Sequence, residues 1–246
     1  MNDFAEFTED GFRRLVGLVK QGGYRFARYG ESSDDRHVIW RHDVDFSMHR
    51  AARLAEIEAE EGAAATYFLN ARCTFYNLLE PEIAALAKRI ASLGHEVGLH
   101  FDAEVFGVEQ WTGEMLERAV ARERRLFEAI LDAPVGTISW HNPDLSNLLD
   151  FQDETVGGLV NAYSASLRRD YAYGSDSNGY WRFKPMGELI GEGHRRLHLL
   201  THPEMWTPEP MAPSERIDRA IQGRARAARR NYDAALARGG RKNVTC

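Results

Sequence analysis

The sequence predicts an α/β fold with about seven parallel strands set as a barrel around one site. Three observations predict it. Short β-branched or aromatic runs alternate with helical stretches, the order of βαβ units whose strands run parallel. Residues able to do chemistry follow four of those runs, at residues 41–45, His100, His141 and His202. Sites in such folds gather at the carboxyl ends of strands, so four coincidences at one edge favour a barrel.

Taken in order, Thr8 caps a first helix through about residue 20, with Phe12, Leu15, Val16 and Val19 on one apolar face. Gly22-Gly23 ends it. Residues 24–29 read as a short strand, residues 31–36 as a polar loop, and residues 38–40 as a buried strand of β-branched and aromatic side chains. Residues 49–61 are helical, with Leu54 and Ile57 inward and Gly62 as the stop; residues 65–69 form the next strand. Pro81 opens a helix whose Ile83, Leu86, Ala87, Ile90 and Leu93 keep the helical spacing, and Gly94 closes it. Residues 96–100 are a strand, 112–131 a helix, and 135–140 a strand ending in His141-Asn142-Pro143. Beyond Asn147 the periodicity weakens into loops and short strands, until a strand at 197–201 leads to His202-Pro203. With no repeat, linker or low-complexity segment, residues 1–246 read as one domain with a basic C-terminal helix from about residue 214.

Hydrophobic residues make up 43% of the 246 positions, normal for a chain that buries a sizeable core. A net charge of −6 gives no reason to expect nucleic acid as a partner. The charge is uneven: from Ser214 onward nine Arg and Lys face three Asp and Glu, leaving about −12 on the rest. Such a helix either meets an anionic partner or is a solvated face, the commoner case. The first residues, Met1 to Phe7, contain no apolar run of signal-peptide type, and no stretch is long and apolar enough for a membrane span. Cys73 and Cys246 are the only cysteines, so a structural disulfide is not expected and a cytoplasmic location is.

Asp43 and Asp45 stand two apart, so in extended chain both carboxylates project to one side. Two acids at the mouth of a buried strand are costly to leave unpaired. Either they hold a divalent metal together with His100, or they pair with Arg41 or His42. Carboxylate and imidazole ligands suit zinc and similar ions, with one position left open in a catalytic site. His95 lies five residues before His100, points to the opposite face, and reads as a structural core residue. His141 and His202 each serve as ligand, general acid or hydrogen-bonded core residue. The stretch from Asp176 to Trp181 is a polar loop leading to aromatics, suited to a sugar or to a turn over the core. No Gly-rich phosphate loop, zinc-finger spacing or Gly-x-Ser-x-Gly elbow occurs, so a serine hydrolase has little support.

Three of these segments resemble the polysaccharide deacetylase superfamily, metal-dependent carbohydrate esterases with a distorted (β/α) barrel. Arg41-His-Asp-Val-Asp45 is similar to the first motif of that family. Gly94-His-Glu-Val-Gly-Leu-His100 is similar to the second, and Leu199-Leu-Thr-His-Pro203 to the last. The resemblance implies Asp43 as general base, Asp45 and His100 as metal ligands, and His202 as general acid. It implies hydrolysis of an N-acetyl group on an amino sugar, with a divalent metal ion, zinc foremost, as cofactor. Arg41, Asp176 and Trp181 are the candidate substrate-binding residues for that carbohydrate. The chain departs from the pattern twice. Glu104 stands where the family has a second histidine, so Glu104 or His141 is the third ligand, and an Arg-x-Pro segment whose arginine pairs with the base is missing. These departures leave an alternative, a barrel without catalysis that binds a carbohydrate or a protein.

Overall fold

The computed structural model describes residues 4–31, 34–181 and 184–244; the first three residues, Cys246 and part of the loop expected at 31–36 lie outside the described residues. Helix α1 (Glu9–Gln21) begins where Thr8 Oγ1 accepts the Gly11 N–H at 3.1 Å, and it buries Phe12, Leu15, Val16 and Val19. Gly23, at φ 71°, turns the chain into β1 (Arg25–Ala27) in a conformation glycine adopts without a Cβ clash. Then come β2 (His37–Val44), α2 (Met48–Glu60) capped by Ser47, β3 (Thr66–Leu69), α3 (Pro81–Ser92), β4 (Glu96–Asp102), α4 (Gly113–Leu131) capped by Thr112, and β5 (Thr137–His141). The weakly patterned stretch holds β6 (Thr155–Val156), β7 (Leu159–Asn161), α5 (Ala165–Asp170), β8 (Ala172–Ser175) and α6 (Met186–Gly191). β9 (Arg196–Thr201) and α7 (Pro213–Arg238) follow. No helix among the described residues is long and apolar enough to cross a membrane.

The strands are ordered β6-β7-β5-β4-β3-β2-β9-β8, and every ladder is parallel except β6–β7. β1 lies parallel along His37–Ile39, on the side of β2 that β3 takes over from Arg41. This is the order of a βα ring opened between β7 and β8, a distorted (β/α) barrel. Among the described residues it has nine strands, eight of them in parallel ladders, against the expected seven or so. β6, β7 and β8 are two to four residues long, too short to impress an alternating pattern on the sequence.

The central strand also corrects an expectation. The strand read at residues 38–40 runs on through Arg41, His42 and Asp43, all of them buried. Neighbours on both edges satisfy its backbone, and alternation gives each polar side chain a face to pair on. Ile39, Arg41 and Asp43 point into the barrel, while Val38, Trp40 and His42 point at the helices. A small apolar cluster, including Ala27, Tyr29, Ile39 and Phe68, fills the interior toward the amino ends of the strands. The larger core lies outside the sheet, where Trp40, Val44, Leu54, Ile57 and Phe12 pack together. The carboxyl end of the interior is therefore left to polar groups.

Candidate metal centre

Three strand ends converge there. Asp45 follows β2, His100 is the fifth residue of β4, and His141 ends β5. Asp45 Oδ1 lies 3.2 Å from His100 Nε2 and 3.2 Å from His141 Nδ1, and the two ring nitrogens are 3.2 Å apart. A tetrahedral ion with ligands at about 2.0–2.1 Å sets its ligand atoms about 3.3–3.4 Å apart, so this triangle fits one. Among the described residues Asp45 Oδ1 is buried without a well-aligned hydrogen bond, as suits an oxygen able to ligate a cation. Burial alone would raise the Asp45 pKa, but His100, His141 and His202 more than reverse this and hold the carboxyl well below its usual range. The donor set of two imidazoles and one carboxylate suits zinc or a similar ion.

The groups behind His100 fix its tautomer. His100 Nδ1 is 2.7 Å from Ser139 Oγ, which in turn donates to Asp43 Oδ1 at 3.3 Å. With Nδ1–H given to Ser139, His100 Nε2 keeps its lone pair toward Asp45 and His141. Asp43 is buried, and its Oδ2 accepts from Arg41 Nη2 at 3.2 Å. Arg41 Nη2 also donates to the Tyr163 hydroxyl at 2.8 Å, and the guanidinium lies 4.6 Å from the centre of that ring. The two acids thus divide the alternatives left by the sequence. Asp43 pairs with Arg41, and Asp45 faces the two histidines.

Opposite them stands His202, just past β9. Its Nδ1 is 2.7 Å from Asp176 Oδ1, and its backbone N–H donates to both Asp176 oxygens at 3.0 Å. Its Nε2 lies 3.9 Å from Asp45 Oδ2. Burial would lower the pKa of this imidazole, but the charge and hydrogen bond of Asp176 outweigh it and lift the value to about 10.

Several expectations change here. Glu104 does not join the triangle. β4 ends at Asp102, and the turn after it carries Glu104 outward, where its exposed carboxylate accepts from Asn142 Nδ2 at 3.0 Å. Arg41, expected to bind substrate, is wholly buried beneath Asp43. Asp176, also expected on the substrate, is wholly buried and spends its oxygens on His202 and the Trp206 indole N–H. Trp181 packs against Phe7 with ring centres 4.7 Å apart, meets Trp206 at 6.3 Å and donates to Glu6, so it is spent on the packing of the N-terminal segment. Sequence reasoning missed Ser139 and Tyr163. Ser139 was within reach, because it alternates with His141 on one face of β5; Tyr163 lies in the stretch without periodicity.

No family model matches the chain, and no curated protein matches it. Solved structures do. A CE4 family pseudoenzyme from Bacillus anthracis is 17% identical over 80% of this chain, with a TM-score of 0.44; the chain spans 63% of that protein's length. A family 4 acetyl xylan esterase from Clostridium thermocellum, in complex with a cobalt ion, is 15% identical over 78% of this chain and 84% of its own, with a TM-score of 0.44. A peptidoglycan deacetylase from Bdellovibrio bacteriovorus is 15% identical over 84% of this chain and 54% of its own, with a TM-score of 0.42.

Proposed function

We propose that the chain is a metal-dependent hydrolase that removes an N-acyl group, N-acetyl foremost, from an amino sugar or a related carbohydrate precursor. One observation carries this reading: the Asp45–His100–His141 triangle, 3.2 Å on each side, has a carboxylate held by Arg41 next to it and an imidazole held by Asp176 facing it. Asp45, His100 and His141 would hold a divalent ion, with zinc suited to the donors, and it would supply a Lewis acid for the amide carbonyl and lower the pKa of a water.

The other work falls to the chain. Asp43 takes the proton of the attacking water, with Ser139 on Oδ1 and Arg41 on Oδ2 holding the carboxylate in place. His202 keeps both ring protons at neutral pH. Because Asp176 holds Nδ1–H, the proton on Nε2 is the one given to the departing nitrogen. The amide C–N bond breaks, and acetate and the free amine leave. A barrel without catalysis is the other reading, and it rests on the two departures from the family pattern. His141 offers a third ligand and Arg41 offers a partner for the base, which supports the hydrolase. Acetate release from N-acetylated amino sugars tests the reading. It should disappear on chelation and return with zinc. Failure to release acetate from any mono- or oligosaccharide in metal-loaded protein would sink it.

A further inference from the structure

Beside the metal centre, the segment after Asp45, the turn after His202 and α7 enclose a cleft of about 370 Å³. That is the size of a small-ligand site, about 300–1,000 Å³. Phe46, next to Asp45, lines it on one side, and Glu204, two residues past His202, lines it on another. On the third side α7 turns one face inward, where Arg216, Arg219, Arg226 and Arg230 stand around Ala220, Gly223 and Ala227. The small residues keep the helix surface low, so the guanidiniums border a space instead of filling it.

The cations are in excess. Arg50 is paired with Glu9, Arg224 with Glu80, and Glu82 is taken by His49. Among the described residues, Arg219, Arg226 and Arg230 have no ion-pair partner. Arg216 is 1% exposed, lies 5.0 Å from the centre of the Phe7 ring and donates once, to the Gly179 carbonyl, while its Nε and Nη2 have no hydrogen-bond partner among the described residues. Glu204, also 1% exposed, is close enough to Asp45 and His202 to feel their charges, and its carboxyl is no partner for an anion. A buried guanidinium with two unpartnered nitrogens is costly, and at a cleft it marks a place built for a ligand. Guanidiniums ringing a space match the multiple oxygens of a phosphoryl group better than a single carboxylate.

We propose that this cleft takes a phosphoryl group, so that the amino sugar reaching the metal centre is a phosphate ester. The word sugar rests on the hydrolase reading of the adjoining centre; the word phosphoryl rests on the cleft alone. Calorimetric titration of inorganic phosphate and pyrophosphate into the full chain, at fixed ionic strength, tests it. Arg219→Ala and Arg226→Ala, seven residues apart on one face of α7, change exposed side chains and should leave melting temperature and metal content as they were. Each should weaken anion binding roughly tenfold, the scale of a lost charge-assisted hydrogen bond. Tighter pyrophosphate binding would indicate a sugar linked through a diphosphate, and tighter phosphate binding a sugar monophosphate. If both variants bind both anions as the unaltered chain does, the proposal is overturned. The two readings also fail separately. Acetate release from neutral sugars with arginine-independent anion binding removes the phosphoryl site alone. Arginine-dependent anion binding without acetate release from any sugar removes the hydrolase and leaves the site.

Discussion

Strand β2 carries a buried polar cluster on each face, and the two clusters differ in completeness. On the helix side, Trp40 Nε1 donates to Thr201 Oγ1 at 3.0 Å, Thr201 Oγ1 is 2.8 Å from His42 Nδ1, and His42 Nε2 is 2.9 Å from Glu58 Oε1. Tyr67 donates to the other Glu58 oxygen at 2.6 Å, and His95 bridges the Ala65 N–H and the Ala55 carbonyl. Each of these side-chain atoms has a partner. On the barrel side, Asp45 Oδ1 and Arg41 Nε and Nη1 have none among the described residues. Each such atom costs about 1–3 kcal/mol, so a fold keeps several together only where something else binds. Histidines and acids occur on both faces; what separates structure from site is whether their hydrogen bonds close within the chain.

The largest effects should fall on the barrel side. Asp43→Asn and His202→Ala should each lower acetate release by about 10²–10⁴-fold while metal content is kept, as loss of proton transfer requires. Unchanged turnover in both, measured with metal content in parallel, would remove their roles. Next comes stability in metal-free protein. Glu58→Ala strands His42 in the core and should cost about 3–5 kcal/mol in urea unfolding. Asp45→Ala should cost less, because it removes a carboxylate with an unpartnered oxygen along with its contacts to His100 and His141. Equal losses would erase the contrast between the faces.

A smaller effect concerns acid. Burial would raise the Glu58 pKa, but His42, His95 and Tyr67 outweigh it and hold the value below the ordinary 4.5. A carboxyl with a depressed folded pKa stabilises above its unfolded value, and that contribution is lost as pH falls through the folded value. Unfolding free energy should therefore drop as pH falls below 4.5, and Glu58→Gln should flatten that slope. The same slope in both proteins would assign the acid sensitivity elsewhere.

Much of this was legible because the relevant patterns are local. Thr8, Ser47 and Thr112 cap helices through contacts three residues away, and apolar spacing marks which face of each helix is buried. The strand ends bearing Asp45, His100, His141 and His202 followed from the same alternation of runs and helices. The pairing of Arg41 with Asp43 was one of the two alternatives the sequence offered, but its hold on Tyr163 and the roles of Asp176 and Glu104 were not legible, because they depend on partners far along the chain. Arg41 meets Tyr163, Asp176 meets His202 through the β8–β9 ladder, and Glu104 meets Asn142. The choice between Glu104 and His141 turned on where β4 stops, and a boundary of one or two residues is what sequence patterns fix least well.

That choice also sets the most direct measurement. Purified chain, its His141→Ala variant and its Glu104→Ala variant would be analysed for bound metal and titrated with zinc. The Asp45–His100–His141 triangle predicts about one ion per chain in the unaltered protein and in Glu104→Ala. It also predicts that His141→Ala loses about 10-fold or more in affinity. Full binding by His141→Ala, or no metal at micromolar zinc in the unaltered chain, would contradict the centre as described.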